Sequence, residues 1–76
     1  MEERAAVQST YTAVIKRDGD WWIGWIEEVP GVNCQELSRE ELIESLRVTL
    51  SEAIELNREE ARDAAGQDFE ELSIAV

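Results

Sequence analysis

The sequence predicts an α+β fold with the element order β-β-β-α-β, in which one long helix covers one face of a four-stranded sheet of order 3-2-1-4. Three observations predict it: a capped amphipathic stretch over residues 37–66, a turn signal at Asp18-Gly19 between two β-rich stretches, and an alternating segment over residues 71–76. A chain of 76 residues is expected to form one domain, near the size at which a single core is only marginally stable. Residues 1–6 are predicted to be a frayed polar leader.

The first two strands are predicted on either side of a tight turn. Residues 7–16 are rich in Thr, Val, Ile and Tyr, which favour a strand. Asp18-Gly19 predicts a two-residue hairpin turn, because both residues tolerate positive φ. The returning strand, residues 21–27, is apolar on both faces, which is typical of a central strand covered on two sides. The absent side chain at Gly24 would let the helix approach the strand closely.

A turn at Pro30-Gly31 leads into a third strand over residues 32–37 and then into the helix. Ser38 and Glu41 predict a capping box, in which each side chain accepts a hydrogen bond from the backbone N–H of the other residue. Leu37 and Leu42 are spaced as a hydrophobic staple. The apolar stripe of the helix is predicted to comprise Leu42, Leu46, Leu50, Ala53, Ile54, Asn57 and Ala61. Gly66 is a suitable residue to close the helix.

The last predicted strand lies parallel to the first, outside the hairpin, because a strand-helix-strand crossover should be right-handed. The second face of the sheet then has no cover from the chain. We expect an aromatic patch there, made of Tyr11, Trp21, Ile23 and Trp25. Exposed tryptophans in one patch indicate an interface, unless they pack locally against neighbouring side chains and the leader.

The formal charge of −11, without any histidine, makes nucleic acid a poor direct ligand. It suits a basic protein partner, or it simply keeps a small protein in solution. A single cysteine, Cys34, cannot form an internal disulfide, and no apolar run approaches the ~20 residues of a membrane span. The N-terminal sequence does not resemble a signal peptide, so we expect a cytoplasmic protein without membrane contact.

The acidic residues do not predict an enzyme. Asp18 and Asp20 lie at the opposite end of the predicted hairpin from Glu27 and Glu28, so the four carboxylates cannot converge on a metal ion. Cys34 would need an activating base, and the chain has no histidine to provide one. We therefore expect no catalytic site, no metal and no cofactor.

Three stretches resemble the HicB family of antitoxins. They are residues 18–24, Asp-Gly-Asp-Trp-Trp-Ile-Gly; residues 29–32, Val-Pro-Gly-Val; and the helix start at residues 38–42, Ser-Arg-Glu-Glu-Leu. The resemblance extends over roughly residues 10–76 and depends on the order and spacing of these pieces. It implies a meander of three strands, a helix and a fourth strand, often compared with a pared-down ribonuclease H fold.

The resemblance also implies a function. HicB antitoxins typically neutralise HicA, a small basic toxin that cleaves mRNA and relies on a histidine. Many carry a C-terminal helix-turn-helix or ribbon-helix-helix segment that binds DNA; this sequence shows none up to Val76, so direct operator binding is not expected. We expect a toxin-binding domain that also forms a dimer or tetramer, with an interface drawn from Tyr11, Trp21, Ile23, Trp25, Glu27 and Glu28. The alternative is a homo-oligomeric structural or regulatory module without a toxin.

Overall fold

A computed structural model describes residues 10–76 of the chain. Its elements are β1 (Ala13–Asp18), β2 (Trp21–Ile26), β3 (Asn33–Glu36) and α1 (Arg39–Ala65). The strands form an antiparallel sheet of order β1-β2-β3, and α1 packs on one face of it against β2 and β3. The predicted leader, residues 1–6, and the start of the first predicted strand lie outside the described residues.

The β1–β2 hairpin is present, but its turn lies one residue later than predicted. Asp18 is the last residue of β1 and pairs with Trp21, so Gly19 and Asp20 form the two-residue loop. Gly19 has a φ of 65°, whereas Asp20 does not have positive φ. A glycine with positive φ at the first central position is the arrangement of a type II′ hairpin, which needs no positive φ at the second residue.

The start and end of α1 follow from local capping interactions. The Ser38 Oγ accepts a hydrogen bond from the Glu41 backbone N–H at 3.1 Å and also donates to the Glu41 carboxylate at 3.1 Å. The capping box predicts that the Glu41 carboxylate accepts from the Ser38 backbone N–H. In the structure the carboxylate is bound to the Ser38 hydroxyl instead. At the other end Gly66, with a φ of 78°, donates its N–H to the Arg62 carbonyl. Leu37 remains 66% exposed, so a staple there buries little surface.

The core lies between α1 and the sheet and is small. Among residues 10–76, the buried hydrophobic side chains are Ile26, Val32, Leu42 and Leu46. Around them pack half-buried side chains that include Trp22, Leu50 and Ala53. The predicted helix stripe therefore reaches the core as far as Ala53. Ile54 is half-buried, while Asn57 and Ala61 are exposed.

The predicted fourth strand is wrong, and with it the four-stranded order 3-2-1-4 and the right-handed crossover. Within the described part of the chain the sheet has three strands, and residues 69–76 form neither helix nor strand. These residues, here called the C-terminal segment, expose their apolar side chains: Leu72 is 76% and Ile74 is 77% exposed.

The lengths of the elements explain the difference. The 27 residues of α1 span about 40 Å, whereas the six residues of β2 span about 20 Å. The second half of α1 consequently runs past the sheet before the chain turns at Gly66 and Asp68, which both have positive φ. Beyond the turn, Glu71 lies 3.5 Å from the Arg62 guanidinium, beside the overhanging helix and not beside β1.

Candidate functional site

The two faces of the sheet can be told apart from one close contact at Gly24. A Cβ atom placed on Gly24 would lie 3.1 Å from Leu46 Cδ1, so this position faces α1. Because side chains alternate along a strand, Trp22 and Ile26 face α1 as well. We call the side of the sheet with Trp22, Gly24 and Ile26 the covered face.

The opposite side of the sheet, here called the open face, carries Trp21, Ile23 and Trp25 along β2. The strand register places the neighbours of these residues. On β1, Val14 lies opposite Trp25, Lys16 opposite Ile23 and Asp18 opposite Trp21; on β3, Gln35 and Asn33 lie opposite Ile23 and Trp25. The open face is therefore an apolar stripe that Val14 extends and that is otherwise bordered by polar side chains, the composition of an interaction surface with an apolar centre and a polar rim.

The tryptophans of the two faces differ in their surroundings. Trp21 and Trp25 are 42% and 40% exposed. Trp22 packs against the core, and the guanidinium of Arg17 lies 5.6 Å from its ring centroid, a cation–π arrangement. The indoles of the open face therefore keep large apolar areas available for a partner.

Glu27 and Glu28 lie immediately beyond β2, at the end of the open face marked by Trp25. Both side chains are exposed. Glu27 donates its backbone N–H to the Thr12 carbonyl at 2.9 Å, and the Glu28 carboxylate accepts from the Thr12 backbone N–H at 2.8 Å. This backbone hydrogen bond, with a further one from the Thr12 side chain, lowers the pKa of Glu28 below its ordinary value of 4.5. Glu28 thus ties the segment before β1 to the sheet, while the Glu27 side chain is engaged in no such contact with Thr12.

The predicted placement of Tyr11 on the open face needs correction. Tyr11 packs against the core cluster and lines a groove of about 340 Å³ between the start of β1 and α1. It shares the odd numbering of Ala13 and Ile15, and the Gly24 contact with Ile15 Cγ2 puts that set on the covered side. The groove is lined by Tyr11, Ala13, Ile26, Ile43, Leu46, Arg47, Leu50, Ser51 and Ile54.

Cys34 lies on the same side of the sheet as the helix. The Cys34 Sγ lies 3.5 Å from the Thr49 Oγ1 in a half-buried position on the covered side of β3. Among residues 10–76, no group of three or more histidine, cysteine, aspartate or glutamate side chains is placed to hold a metal ion. In the same part of the chain, no helix is both long enough and apolar enough to cross a bilayer.

Sequence reasoning missed the β1 and β3 residues of the open face and the groove beside β1. The open-face neighbours were within reach of prediction: a turn at Gly19-Asp20 sets the register that puts Val14 opposite Trp25. The groove had no comparable signal, because its lining residues come from β1, β2 and α1 and are far apart along the chain.

The chain matches no family model, no curated protein and no solved structure. The resemblance to HicB antitoxins therefore rests on the sequence pieces alone, and what the chain binds has to be argued from its own surfaces.

Proposed function

We propose that this chain is a HicB-like antitoxin domain, which binds a small basic mRNA-cleaving toxin of the HicA type and occludes it. The observation that carries the proposal is the open face: Trp21 and Trp25 remain 42% and 40% exposed there, beside the half-buried Ile23, in a chain whose net charge is −11. An acidic chain attracts a basic protein, and exposed indoles supply the apolar contact that holds it.

The proposed role is binding and not catalysis. Glu27, next to the open face, and the overall negative charge would steer the toxin and increase the association rate, whereas Trp21 and Trp25 would slow its dissociation. An RNA-cleaving toxin binds phosphate through basic side chains, so an acidic antitoxin that covers them competes directly with the substrate. The proposal places the chain in the cytoplasm, where such a toxin meets mRNA.

The alternative is a homo-oligomeric structural or regulatory module without a toxin. The small buried core favours association of some kind, because a domain of this size gains stability from a partner. Under this alternative the open face would pack against the open face of a second copy. The two proposals differ in the partner and not in the residues.

The test uses the product of the adjacent reading frame, if it is short, rich in Lys and Arg and contains a histidine. Binding is measured by calorimetry and by inhibition of RNA cleavage, at low and at high salt. Trp25→Ala should weaken binding by at least about tenfold, and Glu27→Gln should mainly reduce the association rate and its salt dependence. Leu56→Ala, at a residue of α1 that is 53% exposed, is the matched control and should bind as the wild type does.

Two results would overturn the antitoxin proposal. One is the absence of binding to any such basic product. The other is binding that Trp25→Ala and Glu27→Gln leave unchanged. If the wild type forms an oligomer that Trp25→Ala dissociates, and no toxin binds, the homo-oligomeric alternative gains support.

A further inference from the structure

We propose that the free edge of β3 binds an extended segment of a basic protein partner as an additional strand, with lysine or arginine side chains of that segment placed in an acidic groove between β3 and α1. The inference rests on the proposed function in one respect, because the partner is the basic protein that the open face would bind. The surface is a different one, so its residues can be changed independently of the tryptophans.

Backbone hydrogen-bonding groups of β3 point away from the sheet. Ile26 donates its backbone N–H to the Val32 carbonyl at 3.2 Å, which fixes the phase of hydrogen bonding between β2 and β3. Because the backbone groups of successive residues point to opposite sides of a strand, those of Asn33 and Gln35 face outwards, away from β2. Among residues 10–76, no strand lies on that side of β3. An edge of this kind is a template for a further strand.

The acidic groove, of about 410 Å³, adjoins this edge on the covered side of the sheet. It is lined by one residue of β3 and five of α1: Glu36, Glu41, Glu44, Ser45, Val48 and Thr49. Val48 is 47% exposed and supplies apolar surface, against which the methylene groups of a lysine or arginine can pack. The Ser45 hydroxyl donates a hydrogen bond to the Glu36 carboxylate, which holds this carboxylate beside α1.

A strand added to β3 would direct every second side chain into the acidic groove. Residues that lie directly opposite each other in neighbouring strands have their side chains on the same face of the sheet. The covered face of β3 carries Cys34 and Glu36, so partner residues opposite these two positions point towards the groove. Partner residues opposite Asn33 and Gln35 lie on the open face, where they extend the apolar stripe. One partner can therefore cover the edge and the open face together.

The charge of the groove suits a basic segment. Three glutamates line it, and no lysine or arginine is among its lining residues. Arg47 lies 3.2 Å from Glu44, but both side chains of this pair are about two-thirds exposed. Exposed ion pairs of this kind are weak, so a cation of the partner can compete for Glu44. A segment with a lysine or arginine at every second position meets both the spacing and the charge of the groove.

The same charges disfavour other strands at this edge. The C-terminal segment, from the same chain or from a second copy, brings Glu70 and Glu71, which the glutamates of the acidic groove would repel. Within the described residues β1 has a free edge as well, but it carries Lys16 and Arg17, which would repel a basic segment. The sheet thus has two free edges of opposite charge, and a basic partner selects β3.

The first test is an NMR titration of the ¹⁵N-labelled full chain with a short synthetic peptide in which lysine alternates with threonine. The amide signals of Asn33 and Gln35 should shift more than those of Ala13 and Ile15, and the affinity should fall with added salt. Two matched peptides carry N-methyl groups on alternate backbone nitrogens, either those of the threonines or those of the lysines. Only the set that faces β3 should reduce affinity, by at least about tenfold: the threonine set for antiparallel strands, the lysine set for parallel ones.

The second test changes the protein. Gln35→Pro removes an outward-facing N–H and keeps the hydrogen bonds to β2, so the fold should be retained while the peptide binds at least about fivefold more weakly. Glu41→Gln combined with Glu44→Gln should weaken binding by about three- to tenfold and reduce its salt dependence. Glu52→Gln makes the same change at an exposed residue of α1 outside the acidic groove, so it is the matched control and should bind as the wild type does.

Three results would overturn the inference: signal shifts centred on β1 or on the indoles of the open face, equal effects of the two methylated peptides, or self-association of the free chain that Gln35→Pro abolishes. Failure of the proposed function gives a different result. If the lysine peptide binds β3 as expected and no basic toxin binds, the edge inference stands and the antitoxin proposal falls. If a toxin binds and only Trp25→Ala weakens it, the antitoxin proposal stands and the edge inference falls.

Discussion

The covered and open faces of the sheet are similarly apolar along β2, but α1 packs on only one of them. Trp22, Gly24 and Ile26 lie under α1, while Trp21 and Trp25 of the same strand are 42% and 40% exposed and Ile23 is half-buried. α1 can lie closely on the covered face because Gly24 lacks the side chain that would crowd Leu46. The apolar pattern of a strand therefore predicts which residues gain free energy from burial. It does not predict whether the surface that buries them belongs to the same chain.

The largest expected effect comes from removing the helix contact that closes the covered face. Leu46 is 3% exposed, so Leu46→Ala should lower the free energy of unfolding by about 2–5 kcal/mol, measured by urea denaturation. Leu56 lies on the same helix beyond the sheet and is 53% exposed, so Leu56→Ala should cost less than about 0.5 kcal/mol. Equal losses would contradict the division of α1 into a packed half and an overhanging half.

A side chain at Gly24 should crowd both the neighbouring strand β1 and the helix α1. The added Cβ of Gly24→Ala would lie 2.9 Å from Ile15 Cγ2, 3.0 Å from the Val14 carbonyl oxygen and 3.1 Å from Leu46 Cδ1. We expect a loss of about 1–3 kcal/mol in the same denaturation assay. Combined with Leu46→Ala, the loss should be less than additive, because one of the colliding atoms is gone. Strict additivity would show that α1 is not what crowds Gly24.

The two faces can be compared directly by one substitution at neighbouring positions of β2. Thr keeps a high strand preference, so Trp25→Thr should cost no more than about 1 kcal/mol, chiefly through its cross-strand contact with Val14. Trp22→Thr should cost more, because Trp22 packs on the core and stacks with Arg17. Similar thermal shifts for the two variants would indicate that the open face is packed in the isolated chain.

The smallest expected effect is a pH dependence at the end of the sheet. Because its hydrogen bond to the Thr12 N–H lowers the folded-state pKa of Glu28, this contact stabilises the fold above the ordinary carboxyl pKa of 4.5. Its contribution is lost as the pH falls through the lowered value. Stability measured from neutral to acidic pH should therefore fall less steeply for Glu28→Gln than for the wild type, with Glu27→Gln as the control. Identical slopes for the wild type and Glu28→Gln would contradict this contribution.

The parts of the fold that the sequence predicted depend on neighbours along the chain. The capping of α1 by Ser38, its closure at Gly66, the β1–β2 hairpin and the two-sided apolar pattern of β2 each depend on a few adjacent residues. Of the candidate site, Trp21, Ile23 and Trp25 were assigned to one face for the same reason. Their use as an interface remains a prediction.

Only the tertiary structure decided where distant segments lie. Residues 71–76 have the alternation of a strand, yet α1 overhangs the sheet, Glu71 lies beside Arg62, and these residues form no strand. Tyr11 is of a residue type common in interfaces, yet it lies on the same side of the chain as Ala13 and Ile15 and lines the groove beside β1. The sequence by itself determined which conformation each segment prefers, because these preferences depend on residues adjacent in the chain. The length of the helix, the register of the strands and the distances between segments decided which of these preferences are satisfied within one chain.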